Sequence, residues 1–264
     1  MPDPNAHRGQ RGPFDVIGDV HGCYDELAAL LIRLGYRLPK QGDALAHGEG
    51  RTVVFLGDLV DRGPRIVDVL RLAMDAVDAG SALCVIGNHE WKLVRALWGR
   101  NVKVANGLQE SLEQLKEGGE AFRHRVARFI ERLPSHLVLD AGNLVVAHGG
   151  VKEHMHGGET ERIRAFAMYG DTTGEYDQWG MPVRLNWAAD YRGKAVIVYG
   201  HTPVAEPEWQ NNTINIDAGC VYGGSLTALR YPERELVSVR AAREYAAPGR
   251  PFLPEHAGAA GGRV

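Results

Sequence analysis

Six short runs of apolar, β-branched residues punctuate the chain: Phe14–Ile17, Thr52–Leu56, Leu83–Ile86, Leu144–Ala147, Ala195–Tyr199 and Thr213–Ile216. Each is short for a helix and is bounded by turn-forming residues, so each predicts a buried strand. Between the first of them the period changes. Leu27, Leu30, Leu31 and Leu34 recur at three-to-four spacing and stop at Gly35, while Pro64 can open a helix with Val67, Leu70, Met74 and Val77 on one face before Gly80. The stretch from Glu90 to Leu133 reads as helical throughout, with Phe122, Val126, Phe129, Ile130 and Leu133 along one side. Strands alternating with helices predict an α/β fold, a sheet with helices outside it.

Pro2 to Gly12 and Ala246 to Val264 carry too little periodic apolar content to order themselves. With no internal repeat and no long linker, the expectation is one domain over residues 13–245, framed by flexible tails at 1–12 and 246–264. At 44% hydrophobic and 24% charged residues, the 264-residue chain can bury a proper core. A net charge of −3 excludes the bulk attraction by which basic proteins follow nucleic-acid backbone, so an anionic ligand must be caught locally and no extended nucleic-acid track is expected. No apolar stretch approaches the roughly 18 residues of a membrane span, and Met1 to Pro13 lacks the apolar core of a secretory signal. The expected setting is the cytoplasm, with no membrane partner. Cys23, Cys84 and Cys220, odd in number and widely spaced, fit neither a disulfide framework nor a zinc-ribbon pattern.

The chemistry lies where the strands end. The first run leads into Gly18-Asp19-Val20-His21-Gly22, the second into Gly57-Asp58-Leu59-Val60-Asp61-Arg62-Gly63-Pro64, and the third into Gly87-Asn88-His89-Glu90. The fourth ends in His148-Gly149-Gly150, the fifth in Gly200-His201-Thr202-Pro203 and the sixth in Asp217. A single Gly-Asp after a strand is ordinarily a turn. Six strand ends with ligand-type residues are different, because the carboxyl ends of strands in open α/β sheets gather in one crevice. Carboxylates, imidazoles and a side-chain amide together suit divalent ions such as Mn²⁺, Fe²⁺, Co²⁺, Ni²⁺ or Zn²⁺. One carboxylate between two such ions is a standard bridge, and two ions about 3.5–4 Å apart activate a water and neutralise a phosphoryl group during in-line displacement. Hydrolysis at phosphorus is the reaction class this implies.

The ordered motifs G-D-V-H-G, G-D-L-V-D-R-G, G-N-H-E, H-G-G and G-H-T-P resemble those of the calcineurin-like, binuclear metallophosphoesterase superfamily, from about Phe14 to Glu235. Within it, the stretches 168–177, 184–194, 211–224 and 226–235 are similar to the phosphatase module of bacterial polynucleotide kinase-phosphatases. The resemblance implies a β-sandwich flanked by helices, with residues 90–133 as a helical cap. It also implies that Asp19, His21 and Asp58 hold a first metal, with Asp58 bridging to a second completed by Asn88, His148 and His201. Arg62 would grip a phosphate oxygen, Asn88 would touch phosphate as well as metal, and His89, oriented by Asp61, would protonate the leaving oxygen. Asp217 matches an aspartate near the first metal. Two divalent ions, manganese first, are the expected cofactors.

Three departures sharpen this. Pro203 replaces the histidine of nuclease-type members, Ala218 stands where the module usually has Thr, and no P-loop accompanies the chain. The expected activity is therefore a stand-alone phosphatase on a phosphorylated nucleotide or short oligonucleotide, terminal 2′- or 3′-phosphates first. The alternatives are symmetric cleavage of diadenosine tetraphosphate, a phosphoprotein phosphatase, and a catalytically silent phosphate binder. Trp179 or Trp187 could stack on a base, and Arg123 to Arg132 reads as a solvated helix face.

Overall fold

Each of the six apolar runs becomes a strand of one of two five-stranded sheets packed face to face in a computed structural model that describes residues 2–38 and 44–250. In chain order the first half runs β1 (Phe14–Ile17), α1 (Tyr24–Leu34), β2 (Tyr36–Arg37), β3 (Ala46–His47), β4 (Thr52–Phe55), α2 (Ile66–Asp78) and β5 (Ala82–Cys84). Helices α3 (Asn88–Leu97), α4 (Leu108–Glu117) and α5 (Gly119–Glu131) follow, giving the expected helical middle. The second half comprises β6 (His136–Leu139), β7 (Leu144–Ala147), α6 (Glu161–Tyr169), the hairpin β8 (Thr172–Tyr176) and β9 (Pro182–Arg184), then β10 (Val196–Tyr199), β11 (Trp209–Gln210) and β12 (Thr213–Asn215). Strands β13 (Ser225–Tyr231) and β14 (Glu235–Arg240) are the last regular elements among the described residues.

The first sheet has the order β14-β13-β1-β4-β5 and the second β11-β12-β10-β7-β6. In each, three strands run parallel: β1, β4 and β5 in one, β7, β10 and β12 in the other. Side chains alternate across each strand. Phe14, Val16, Val54, Leu56, Leu83 and Val85 therefore meet Leu144, Val146, Val196, Val198, Ile214 and Ile216 in the core between the sheets. The opposite faces, with Ile17, Val53 and Phe55 on one sheet and Val145, Ala147 and Ile197 on the other, pack under the flanking helices and loops. Burial on both faces explains why the strands read as unbroken apolar runs. The predicted leucine face of α1 is fully buried, and Gly35 ends that helix at φ 100°, a left-handed cap that glycine adopts without strain.

Residues 2–12 depart from the expected flexible tail. The N–H groups of Val138, Asp140 and Ala141 donate to the carbonyls of Pro4, Gln10 and Arg8 at 3.0, 3.0 and 2.8 Å. Strand β6 lies at a sheet edge, and this segment takes up donors there that would otherwise face solvent, a pairing no local periodicity announces. Beyond β14 the chain also stays attached, with Tyr245 and Ala246 donating to the Val221 carbonyl at 2.9 and 3.0 Å. The remainder of that expected tail, 251–264, lies outside the described residues.

Candidate metal centre

Three loops from each sheet converge on one crevice. Asp19 and His21 follow β1, Asp58, Asp61 and Arg62 follow β4, and Asn88 and His89 open α3 just after β5. From the second sheet come His148 after β7, His201 after β10 and Asp217 after β12. The loops are pinned to one another: the N–H of His21 donates to the Asp58 carbonyl at 2.8 Å, and that of Gly200 to the His148 carbonyl at 2.8 Å. Five non-glycine residues here, His21, Asp58, Asp61, Arg62 and His201, hold φ between 43° and 72°. Such conformations cost of order 1–3 kcal/mol each and persist only where the surroundings enforce them. Gly87 and Gly200 stand where a Cβ would collide with the carboxylates of Asp58 and Asp19 respectively.

Asp58 sits at the middle of the cluster. Its Oδ2 lies 3.3 Å from His148 Nε2 and 3.5 Å from His21 Nε2. His148 Nε2 is in turn 2.9 Å from Asn88 Oδ1 and 3.0 Å from His201 Nδ1. His21 donates Nδ1–H to the Val60 carbonyl at 2.7 Å, which turns the lone pair of Nε2 into the crevice. Asp58, His148 and His201 form one grouping that could hold a metal ion, and Asp58, His21 and His89 form another.

His89 lies in this second grouping as well, beside the His21 and Asp58 expected to share a metal with Asp19. Asp19 meets the cluster at His201 and His148, with Oδ2 accepting the His201 N–H at 3.1 Å and Oδ1 lying 4.0 Å from His148 Nδ1. Both of those last two atoms are buried and without a hydrogen-bond partner among the described residues. A carboxylate oxygen and an imidazole nitrogen left without partners amid buried carboxylates mark a site built for a cation. The donor set fits the divalent ions expected.

The electrostatics agree. Burial, with Asp217 and Asp58 close by, pushes Asp19 well above the usual carboxylate range, and burial lifts Asp217 to about 6. Burial would also raise Asp58, but the rings of His148, His89 and His21 outweigh it and hold that carboxyl well below its ordinary value. Burial and Arg62 keep His21 neutral, as burial, His148 and Arg184 do for His201. Neutral imidazoles beside a carboxylate are ready ligands.

Around this centre lie further groups, among them Glu90, Ser111 and Arg184, to which the sequence reading gave no role. Glu90 accepts N–H groups from Asp58 and Leu59, both at 2.8 Å, and from Gly87 at 3.0 Å, so one buried carboxylate shapes the Asp58 loop. Ser111, reaching in from α4, donates to Asp61 Oδ1, while Asp61 Oδ2 lies 2.5 Å from His89 Nδ1. Arg62 joins His21 Nε2 and His89 Nε2, the latter at 2.9 Å, with its guanidinium over the Tyr222 ring at 5.4 Å. From the opposite side Arg184, at the end of β9, donates to His201 Nε2 at 2.6 Å and to the Tyr169 carbonyl. Two guanidinium forks thus bracket the cluster. Glu90 closes the G-N-H-E motif and Arg184 lies in a stretch already singled out, so both had a signal; Ser111, in an ordinary helical run, had none.

Other expectations resolve locally. Trp187 is packed in the core against Phe166 and Tyr199, and Trp179 is exposed on the β8–β9 turn. Arg125 pairs with Asp75 and Asp78, and Arg132 with Asp78, all on the outer face of the helices. The three cysteines are free and buried.

The sequence matches the calcineurin-like phosphoesterase family over residues 12–205. The chain belongs to that family. This calcineurin-like phosphoesterase is 45% identical over 90% of its length to a protein of Anoxybacillus flavithermus named bis(5′-nucleosyl)-tetraphosphatase PrpE [asymmetrical], 99% of which is covered. Identically named proteins of Bacillus velezensis and Bacillus subtilis are 49% and 46% identical over 88% of this chain, covering 94% and 96% of theirs. Among solved structures, one described as a putative diadenosine tetraphosphatase aligns at TM-score 0.58 and 25% identity over 91% of this chain and 99% of its own. A Saccharomyces cerevisiae serine/threonine phosphatase aligns at TM-score 0.60 and 15% identity, over 91% of this chain and 84% of its own, a likeness of fold. The phosphoesterase is thus a metal-dependent hydrolase, and no helix among its described residues is long and apolar enough to cross a membrane.

Proposed function

We propose that the protein is a bis(5′-nucleosyl)-tetraphosphatase that cuts its substrate asymmetrically, into a nucleoside triphosphate and a nucleoside monophosphate. The observation that carries this reading is the similarity to tetraphosphatase-named relatives across nine-tenths of the chain. The geometry supports it: a four-phosphate chain carries several charges, and the crevice offers Arg62 and Arg184 on opposite sides. Terminal 2′- or 3′-phosphates, preferred from sequence, become the comparison substrates, and the symmetrical cut gives way to the asymmetrical one the relatives' names carry.

Asp58, His148, His201 and Asn88 would hold one divalent ion, and His21 and Asp58, with Asp19 nearby, another, manganese being our first choice. When bound, such ions supply Lewis acidity toward phosphoryl oxygens and lower the pKa of an attacking water. Arg62 exchanges its imidazole partners for a phosphoryl oxygen, and Arg184 holds the neighbouring phosphate. His89 faces the crevice with Nε2 while Asp61, in contact with Nδ1, fixes the ring from behind, so it is placed to deliver a proton to the departing oxygen. Asp217, a buried carboxylate whose charge acts on Asp19, adds to the negative charge that draws a cation to that side of the cluster.

Incubation with diadenosine tetraphosphate and Mn²⁺, followed by anion-exchange separation, tests the reading. ATP and AMP in equal amounts are expected. ADP as sole product would assign the symmetrical cut, and release of phosphate from a 3′-phosphorylated oligonucleotide with no cleavage of the dinucleotide would restore the terminal-phosphate reading.

A further inference from the structure

Two clefts continue outward from the cluster along a shared wall. A cleft of about 210 Å³ reaches His201, Gly149 and Arg184 and is walled by Asp171, Leu185 and Trp187. The same three residues wall a second cleft of about 470 Å³, which opens toward Lys152, Asp190 and Arg192. The larger volume lies within the range of small-molecule sites. A third cleft on the other flank, beside Met181 and Tyr222, has about 60 Å³ and is too small for a nucleoside.

The charges in the large cleft do not suit phosphate. Its cations are Lys152 and Arg192, against the carboxylates of Glu153, Asp171 and Asp190. Lys152 is committed to Asp171 at 2.7 Å, and Arg192 donates to the Ala189 and Tyr191 carbonyls at 2.7 and 2.8 Å. Lys152 and Asp171 thus satisfy each other and Arg192 is tied to backbone carbonyls, while Glu153 and Asp190 remain as acceptors. Carboxylates at that position suit sugar hydroxyls and exocyclic amines, the role an acidic residue plays toward ribose in dinucleotide-binding folds. Leu185, 49% exposed on the same wall, adds an apolar surface of the kind a base covers. Phosphate-gripping arginines at the centre thus give way outward to a polar, partly apolar cleft.

We propose that this cleft receives the distal nucleoside of the dinucleoside tetraphosphate, with the base against Leu185 and the ribose hydroxyls donating to Asp190. This rests on the tetraphosphatase reading for the identity of its ligand. It makes the second nucleoside a recognised part of the substrate instead of a bystander on the phosphate chain.

The test compares diadenosine tetraphosphate with adenosine 5′-tetraphosphate, which has the same phosphate chain without the distal nucleoside. Each is used to inhibit nitrophenyl phosphate hydrolysis by the full chain at saturating Mn²⁺, in the wild type and in Leu185→Asp and Asp190→Ala. Both positions are exposed, so neither substitution opens a cavity. The dinucleotide should inhibit about tenfold more strongly in the wild type, and each variant should shrink that gap toward onefold. Equal inhibition by the two compounds in the wild type, or variants that weaken both equally, overturns the proposal. Inhibition reports occupancy whether or not the dinucleotide is cleaved. Failure to form ATP and AMP would therefore overturn the tetraphosphatase reading alone.

Discussion

Asp61 and His89 are locked together across the crevice: Oδ2 lies 2.5 Å from Nδ1, and both residues are buried. The other carboxylate oxygen accepts the Ser111 hydroxyl, whose oxygen accepts the Asp61 N–H at 2.9 Å. Asp61 therefore cannot rotate away, and the proton on His89 Nδ1 is fixed, leaving Nε2 for the crevice.

His89→Ala should accordingly cost most where the leaving oxygen is most basic. On a ribose 3′-phosphate ester the loss in kcat should be about 10²–10⁴-fold. It should be smaller on the tetraphosphate, whose leaving group is itself a phosphate, and least on nitrophenyl phosphate. Asp61→Asn should follow the same ranking with smaller losses. Equal losses on all three substrates would assign the pair to phosphate binding.

Asp58→Asn should be the most damaging change among the metal-type ligands. Its Oδ2 stands between the His21 and His148 sides of the centre, so neutralising it weakens both. Chelator should abolish wild-type activity and Mn²⁺ restore it, while the variant stays at least about 10²-fold down after metal is added. Metal content by mass spectrometry should fall in parallel.

Arg184→Lys keeps the charge and loses the fork. Because Arg184 touches His201 from the side opposite Arg62, the expected effect is a rise of about tenfold in KM for the tetraphosphate, with a smaller effect on nitrophenyl phosphate. A steady-state comparison of the two substrates decides it.

His136 gives the fold an acid-sensitive point away from the centre. Burial first, and His156 nearby, lower its pKa to about 4 from the ordinary 6.5. Its Nε2 accepts the Gly157 N–H at 2.9 Å, an interaction only the neutral ring makes. The unfolded chain takes up this proton first as pH falls, so the stabilisation is complete above pH 6.5 and is lost on the way down through about 4. The amount is at most about 3 kcal/mol. Urea unfolding at pH 7 and pH 4.5 should show a smaller acid loss in His136→Asn than in the wild type.

What could be read from sequence was what repeats locally. The apolar runs of β1 and β7 have the lengths of the observed strands, and the ligands that follow them are on the expected loops, because a strand followed by a glycine turn is a local event. Strands β13 and β14 and the docking of residues 2–12 were not legible. β14 is exposed or half-buried along its whole length, and its place depends on β13 pairing with β1 more than two hundred residues away in sequence. At the centre, the grouping of Asp19 with His21 came from the family resemblance, and the individual contacts were not legible: Asp19 Oδ2 accepts the His201 N–H while His21 Nε2 meets Arg62, contacts that span long stretches of chain.

The division of the crevice between two sheets also governs when the protein can first act. A chain leaving the ribosome at about 5–20 residues per second presents Asp19, His21 and Asp58 early, but the facing imidazoles and Asp217 come from its second half. Even the first sheet waits, since β13 must return from near the C-terminus to lie against β1. A chain that has not yet supplied β13 therefore lacks a closed crevice, and phosphoester hydrolysis must wait until both sheets are complete.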